Sequence, residues 1–180
     1  MMVRRGSFGD AIEVARLHTK SWQGAYAGMM PADFLDGVLP AQQSALWKSR
    51  LHPDQKDIDA TGSPCLLVAH EGDELVGFAY LIPQDDDRVL LENLHVQARV
   101  IGRSIGYRLM TEVFIWVHRN HPGHSLYLEV LEQNKRAKEF YVRQGGIPGK
   151  RSAAEFPGFS LPMVEYTWNS SSIIRRIPAP

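Results

Sequence analysis

The spacing of apolar residues divides the chain into two parts, with the change near residue 65. In the first part, apolar positions recur every three or four residues, as at Ala11, Ala15, His18 and Trp22, which predicts amphipathic helices. The predicted helices cover residues 10–22, 31–40 (with Pro31 at the first position) and 41–51, after a short strand at residues 3–5. The polar, turn-rich segment 52–64 is predicted to form an exposed loop.

The second part combines short apolar runs, turn residues and two further helical stretches. Two apolar runs within residues 65–83 flank an acidic turn, which predicts a β-hairpin. Further strands are predicted at 89–96, 125–131 and 161–168, and helices at 102–120 and 134–146. Pro122 bars continuation of the first of these helices, and Gly145 is typical of the position after the end of the second. The predicted order in this part is β–β–β–α–β–α–β.

This order predicts an α/β (α+β) fold. A helix between the strands at 89–96 and 125–131 implies a right-handed crossover between two parallel strands. The hairpin implies antiparallel neighbours, so we expect a mixed sheet with helices on both faces. A length of 180 residues fits a single domain, which we assign to residues 1–168. Residues 169–180 are expected to form a C-terminal tail, either flexible or docked elsewhere.

The composition narrows the class of protein. Lys plus Arg and Asp plus Glu both number 20, so the net charge is zero and a nucleic-acid partner is not expected. No apolar run is long enough for a membrane span, and the N-terminus lacks an apolar signal segment. Cys65 is the single cysteine, which excludes an internal disulfide. His118, His121 and His124 lack a cysteine or carboxylate that would complete a metal site. These features predict a cytoplasmic protein without a bound metal.

The segment IGRSIGYRLM, residues 101–110, opens a predicted helix with two glycines four residues apart. A helix start exposes free backbone N–H groups and the positive end of the helix dipole, so it can bind an anion. The backbone between Gly102 and Gly106, the Ser104 hydroxyl and the side chains of Arg99 and Arg103 could all bind a phosphate. The segment matches neither the P-loop nor the dinucleotide fingerprint. Taken alone, it favours a simple glycine-containing helix start.

A second block further along the chain changes this interpretation. The pair LHV…GRSIGYRLM and LEVLEQNKRAKEFYVRQGG resembles the signature of the GNAT superfamily, the acetyl-CoA-dependent N-acetyltransferases. The N-terminal helices also resemble the acceptor-side helices of bacterial small-molecule members, including polyamine-acetylating ones. The resemblance extends to about residue 168. It implies the GNAT fold, a mostly antiparallel twisted sheet with a splayed pair of parallel strands, and acetyl-CoA (coenzyme A) as the cofactor.

The resemblance implies a set of cofactor-binding residues on the strand at 89–96, on the loop after it and on the helix at 134–146. They are Leu94, His95, Val96, Arg99, Ile101, Gly102, Arg103, Ser104, Ile105, Gly106, Asn134, Ala137 and Tyr141. Val96 would act through its backbone, and Asn134 is also a candidate helix N-cap. Ile101, Ser104 and Gly146 depart from the usual family pattern. Ser104, which replaces a glycine, is where the loop is expected to bind the cofactor differently.

The resemblance also implies catalytic roles. Tyr141 matches the family's tyrosine and is the candidate general acid, since a phenol with a pKa of about 10 stays protonated at neutral pH. Many relatives carry a base four or six residues before the position of Val96. Leu90, six before, cannot act, so Glu92, four before, is the candidate base. Strand alternation predicts that Glu92 shares a face with Val96 and that His95 lies on the opposite face, which disfavours His95.

The acceptor pocket is expected between the N-terminal helices and the last hairpin. Trp22, Tyr26 and Phe34 are its candidate walls, although each is also typical of a core. Residues 153–162 are expected to form a loop that covers the acceptor. The predicted function is direct transfer of an acetyl group to a primary amine of a small molecule. An acyl-CoA sensor without turnover, favoured by the departures in the loop, and a protein lysine or N-terminal acetyltransferase stay open as alternatives, as does a homodimer.

Overall fold

The computed structural model describes residues 1–52, 62–156 and 159–178. Within these residues, seven strands form one sheet in the order β1-β2-β3-β4-β5-β7-β6, with five α-helices. The strands are β1 Met2–Arg5, β2 Cys65–Glu71, β3 Glu74–Pro83, β4 Arg88–Val96, β5 Ser125–Leu131, β6 Ile147–Phe156 and β7 Phe159–Trp168. The helices are α1 Ala11–Ala25, α2 Leu39–Arg50, α3 Ile105–Asn120, α4 Lys135–Arg143 and α5 Ser170–Ile174. Neighbouring strands are antiparallel except β4 and β5, which confirms the predicted fold class.

The helices predicted at 31–40 and 41–51 form one continuous helical segment instead of two. A π-helical turn, Asp33–Val38, runs directly into α2. Pro40 lies near the start of α2, where its missing N–H is tolerated because the wider π turn ends just before it. Of the loop predicted at 52–64, residues 53–61 lie outside the described residues.

The loop predicted at residues 153–162 is wrong, because this segment belongs to a hairpin. Residues 153–156 end β6, and residues 159–162 begin β7. β6 was not predicted because it is an edge strand, paired with β7 alone, and most of its side chains are exposed. Such a strand needs no apolar alternation, and its sequence IPGKRSAAEF has none.

The core has two layers, one on each face of the sheet. On one face, α3 packs Ile105, Leu109, Val113 and Val117 against the sheet, and these residues repeat at the predicted helical spacing. On the other face, α1 and α2 pack against β2 and β3. The contributing residues there are Ala11, Val14, Ala15, Leu17, Trp47, Leu51, Leu66, Val68, Leu75, Phe78 and Tyr80. The helix α5 adds Ile173, 1% exposed, to the α3 layer, so this part of the C-terminal segment is docked.

A β-bulge in β4 changes which side chains face α1. Tyr80 of β3 pairs with Asn93, but the next residue of β3, Leu81, pairs with Leu91, which leaves Glu92 as the extra residue. A bulge of this kind inserts one residue and shifts the alternation of the strand beyond it.

The shift places His95 on the α1 face of the sheet. His95 pairs with Phe78, whose side chain belongs to the layer under α1 and α2. Leu94 and Val96 pack instead against the α3 layer. The predicted shared face of Glu92 and Val96, and the predicted position of His95 on the face opposite Glu92, are therefore wrong. Simple alternation assumes a strand without a bulge.

The parallel strands β4 and β5 separate along their length. They pair only from Arg88 with Ser125 to Leu90 with Tyr127. Beyond these positions, β4 continues beside β3 to Val96 and β5 continues beside β7 to Leu131. A gap opens between the two strands, as expected from the family resemblance.

Candidate functional site

The loop between β4 and α3 exposes several backbone N–H groups. Gly102 and Ser104 have positive φ angles, 95° and 61°, which turn the chain before α3 begins at Ile105. The first backbone hydrogen bond of the helix α3 is donated by the N–H of Arg108 to the carbonyl of Ser104, at 3.0 Å. The N–H groups of residues 104–107 have no backbone partner among the described residues and lie at the positive end of the helix dipole. A helix start with several free donors suits a diphosphate.

Ser104 is the strained residue of this loop, because a left-handed φ costs a residue with a Cβ about 1–2 kcal/mol. Replacement of Ser104 by glycine is expected to raise the free energy of unfolding by roughly 0.5–1 kcal/mol, since the strain relieved exceeds the extra entropy that glycine loses on folding. Urea denaturation measures the change. Ser104→Ala keeps the Cβ and should leave the free energy of unfolding unchanged. A gain from alanine equal to that from glycine would contradict the strain argument.

The two arginines expected at the anion are paired with carboxylates of the β2–β3 hairpin. Arg99 contacts Glu74, and Arg103 Nη1 lies 3.6 Å from Glu71 Oε2. Both ion pairs are exposed and therefore of low net value. Either arginine can exchange its carboxylate for a phosphate at little cost in free energy.

Other residues of the loop can take part mainly through the backbone. Ile101 is 41% exposed, but its side chain has no donor. Ile105 is 1% exposed, since its side chain belongs to the core, and only its N–H faces the loop. A Cβ at Gly106 would lie 3.4 Å from the ring of Phe140, which is an ordinary contact. A side chain as small as alanine would therefore also fit at Gly106.

Tyr141 and Asn134 lie on α4, which follows directly from β5. The Asn134 Oδ1 accepts the N–H of Ala137 at 3.1 Å, so Asn134 is the helix N-cap and the Ala137 N–H is already used. Tyr141 is 8% exposed, beside the rings of Tyr166 and Phe140. Burial, and secondarily the nearby Tyr26 hydroxyl, raise the pKa of Tyr141. The Tyr141 phenol therefore stays protonated at neutral pH.

The three predicted acceptor walls come together with the tip of the β6–β7 hairpin. Trp22 contacts Tyr26, with ring centroids 5.1 Å apart, and Phe156, at 6.3 Å. Phe34 contacts Phe156 and Phe159, at 6.1 and 6.3 Å. Phe156 and Phe159 stack on each other at 4.8 Å. We call these five side chains the aromatic wall.

Glu92, the predicted base, is held by an arginine of α2. Arg50 Nη2 donates to Glu92 Oε1 at 2.7 Å, and Arg50 Nη1 contacts Glu92 Oε2. Arg50 also lies over the ring of Tyr80, 4.8 Å from its centroid. Both carboxylate oxygens of Glu92 are therefore bound by the guanidinium of Arg50.

Two histidines lie side by side between α1 and β4. The His95 Nδ1 is 2.8 Å from Ser21 Oγ, and the ring of His95 lies 4.6 Å from the ring of His18. Trp47 Nε1 donates to His18 Nδ1 at 3.1 Å. Burial lowers the pKa of His95 to about 4, while burial, His95 and Arg50 lower the pKa of His18 to about 2. Both rings are therefore neutral at physiological pH.

Phe156 and Phe159 lie in the segment 153–162 that is predicted to cover the acceptor, where the letters FPGF place two aromatic residues around a Pro-Gly turn dipeptide. His18 and Ser21 lie in the predicted helix 10–22, and the sequence does not predict them as part of the site. A histidine at an apolar helical position is a weak sign of a buried polar cluster. The Arg50–Glu92 pair joins residues far apart in the chain and has no local signal.

The described residues contain neither a membrane-spanning helix nor a cluster of metal ligands. No described helix is both long and apolar enough to cross a membrane. In the described parts of the chain, no group of three or more His, Cys, Asp or Glu residues could hold a metal ion.

Comparisons with known proteins agree with this geometry. The profile described as Acetyltransferase (GNAT) family matches residues 32–146, more than half of the chain. No curated protein matches the sequence significantly. Among solved structures, PaiA N-acetyltransferase from Thermoplasma acidophilum, in complex with coenzyme A, superposes with a TM-score of 0.71 at 19% identity, over 93% of this chain and 98% of that one.

Two further solved structures have the same fold and are named for different acceptors. An aminoglycoside 6'-N-acetyltransferase complexed with coenzyme A superposes with a TM-score of 0.65 at 16% identity, over 100% of this chain and 99% of that one. A ribosomal-protein-alanine N-acetyltransferase from Brucella melitensis superposes with a TM-score of 0.67 at 15% identity, over 94% and 99%. At these identities the likeness shows the fold alone.

Proposed function

The chain belongs to the acetyltransferase (GNAT) family, whose cofactor is acetyl-CoA, and we propose that it transfers the acetyl group to a primary amine of a small molecule. The observation that carries the proposal is the arrangement around the gap between β4 and β5. The free N–H groups of residues 104–107 follow the end of β4, and Tyr141 lies on the helix that follows β5.

The residues present fit coenzyme A. Acetyl-CoA supplies an acetyl group on a thioester, together with a diphosphate and an arm that contains amides. The N–H groups of residues 104–107 would hold the diphosphate, with Arg99 and Arg103 within reach on the surface. Residues 91–96 of β4 have β3 on one side only, so their backbone could bind the amides, as expected for Leu94 and Val96.

We propose Tyr141 as the general acid that gives its proton to the departing sulfur. Its buried phenol, with a raised pKa, carries that proton at neutral pH. Asn134, as the N-cap of α4, fixes the start of the helix that carries Tyr141. We do not propose Glu92 as the base, because Arg50 binds both of its carboxylate oxygens.

The aromatic wall supports a small acceptor rather than a protein. It lies between α1, the turn Asp33–Val38 and the hairpin tip, on the face of the sheet that also carries His95. Aromatic and apolar walls with a few polar groups are typical of pockets that enclose a small molecule.

Calorimetry with coenzyme A tests the cofactor, and thiol release with a panel of amines and peptides tests the transfer. We expect binding with a Kd between about 1 µM and 1 mM, and thiol release with at least one small amine. No binding at millimolar coenzyme A would overturn the proposal. Binding without thiol release would favour the sensor, and release with peptides alone would favour a protein acceptor.

A matched pair of variants at Ser104 tests the position of the diphosphate. Asp and Asn are nearly isosteric, and both tolerate a left-handed φ. Ser104→Asp adds a negative charge to the loop and is expected to weaken coenzyme A binding about tenfold or more, whereas Ser104→Asn should change it less than about threefold. Equal effects of the two variants would show that the diphosphate binds elsewhere.

A further inference from the structure

The wall of the site between α1 and β4 carries polar groups but no free negative charge. We call it the histidine wall; it consists of His18, Ser21 and His95, beside Phe78. Arg50, the charged side chain that acts on His18, is bound to both carboxylate oxygens of Glu92. A cationic ammonium group bound here would lose its hydration without gaining a carboxylate partner.

Carboxylates elsewhere do not change this conclusion. Asp33, Asp36 and Glu155 lie near the aromatic wall but are exposed; Asp36 accepts from Gln23 and Glu155 from Ser160. Among the described residues, the only buried carboxylate is Asp10, which pairs with Arg4. The site can therefore attract a cation at its rim but cannot neutralise one at the histidine wall.

His95 offers a hydrogen-bond acceptor on this wall. Its Nδ1 is hydrogen-bonded to Ser21 Oγ, and its ring centroid lies 4.6 Å from that of His18 and 5.3 Å from that of Phe78. The side chain is partly exposed, and Nε2 has no hydrogen-bond partner among the described residues. If Nδ1 donates its hydrogen to Ser21, Nε2 carries a lone pair that can accept an N–H from a ligand.

We infer that the acceptor is a weakly basic primary amine on an aromatic or apolar body, bound in its neutral form with one N–H donated to Nε2 of His95. This inference rests on the proposed function and names the acceptor class for the same site. The aromatic wall would receive the body of the acceptor, and the histidine wall its nitrogen.

The basicity of the amine decides how much of it is in the reactive form. At pH 7 an α-amino group with a pKa of about 7.7–8.0 is roughly 10% neutral, whereas an alkylamine with a pKa of about 10.4 is about 0.04% neutral. The difference is a factor of a few hundred. A site whose described carboxylate beside the acceptor is already paired gains this factor by selecting the weaker base.

With a neutral amine, the reaction needs no separate base. The amine nitrogen forms the new bond to the acetyl carbon, and the carbon–sulfur bond breaks with its electron pair on sulfur. Tyr141 gives its proton to sulfur and regains one from the amide nitrogen. All atoms and charges balance in this reaction. It needs no carboxylate as a base, which agrees with a site in which Glu92 is already paired with Arg50.

Three acceptors of different basicity test the inference. We expect kcat/KM at pH 7 to be about 10- to 100-fold higher for phenylalanine amide, which reacts through an α-amino group, than for phenethylamine or spermidine. The gap between phenylalanine amide and phenethylamine, which share an aromatic body, should narrow as the pH is raised to about 9.5. Equal or higher kcat/KM for phenethylamine or spermidine at pH 7 would overturn the inference.

A charge change at His95 gives a second test. His95→Asp would supply the missing carboxylate and should shift the ratio of kcat/KM toward phenethylamine, whereas His95→Asn, of the same size without charge, should not. An unchanged ratio in His95→Asp, with coenzyme A binding intact, would place the acceptor nitrogen away from His95.

A third measurement needs no acceptor. In ¹⁵N NMR of the wild-type protein, His95 is expected to be the neutral Nδ1–H tautomer at pH 7, and an imidazolium or an Nε2–H tautomer would overturn the inference. The failures are distinguishable. If the wild-type protein does not bind coenzyme A, the proposed function is wrong. If it binds coenzyme A but shows the opposite acceptor ranking or another His95 tautomer, only this inference is wrong.

Discussion

Tyr141→Phe is expected to lower turnover by about 10- to 1000-fold while leaving the Kd for coenzyme A nearly unchanged. The substitution removes one hydroxyl and keeps the ring, which packs beside Tyr166 and Trp168. The lost step is protonation of the departing sulfur, and general acid catalysis is worth about 10²–10⁴ in rate, part of which water can replace. Steady-state kinetics and calorimetry with coenzyme A give the two quantities.

Tyr166→Phe is the matched control. Tyr166 is a buried tyrosine of the same core layer, with its ring centroid 6.0 Å from that of Tyr141. It has no proposed proton to give, so its variant should keep turnover within about threefold of the wild type. Equal losses of turnover and cofactor affinity in Tyr141→Phe would assign Tyr141 a structural role.

The free energy of unfolding is expected to fall by up to roughly 4–5 kcal/mol between pH 6.5 and pH 4.5. In the unfolded chain, His18 and His95 take up protons as the pH falls through about 6.5. In the folded protein they stay neutral, because burial lowers their pKa values to about 2 and about 4. The unfolded state therefore binds more protons, so this stability is fully present above pH 6.5 and is lost as the pH falls. Each histidine contributes at most about 1.4 kcal/mol per pH unit.

Urea denaturation at pH values from 4.5 to 7.5 measures this loss. Replacement of His18 by glutamine should reduce the number of protons taken up on unfolding by up to about one, so the free energy of unfolding should fall less steeply with decreasing pH. Replacement of His95 should have a similar effect above pH 4.5. His118→Gln, on the exposed side of α3, is the control for a histidine-to-glutamine replacement that removes no buried side chain. His121 has a pKa lowered by burial and by His124, so it adds to the loss in every variant. If the pH dependence of the free energy of unfolding is the same in the wild type and in both the His18 and the His95 variants, the argument is contradicted.

Much of the fold could be predicted because the buried elements carry periodic patterns. The helix α3 repeats apolar residues at helical spacing, and β2 and β3 are apolar runs around a short polar turn. β6 could not be predicted in this way, since most side chains of this exposed edge strand face solvent and no alternation of apolar and polar residues is needed. The structure identifies β6 by its pairing with β7.

The candidate site was predictable where it depends on backbone and local motif. The positive φ of Gly102 and the N-cap role of Asn134 follow from residue types near a helix start. The binding partners of Glu92 and the face of His95 were not predictable, because they depend on a contact with distant Arg50 and on a bulge. The letters LLENLHV are compatible with a regular strand as well as with a bulged one.

The extra residue in β4 makes the chemistry of the site depend on the number of residues in the strand as well as on their identity. Leu91 and Asn93 pair with Leu81 and Tyr80, which are neighbours in β3, so loss of the single codon for Glu92 would restore regular pairing. His95 would stay opposite Phe78 on the α1 face, and the carboxylate bound by Arg50 would be the side chain lost. Counted along the pairing, Leu91 and not Glu92 lies four positions before Val96, so homologous chains are best aligned by the phase of this strand before their side chains are compared.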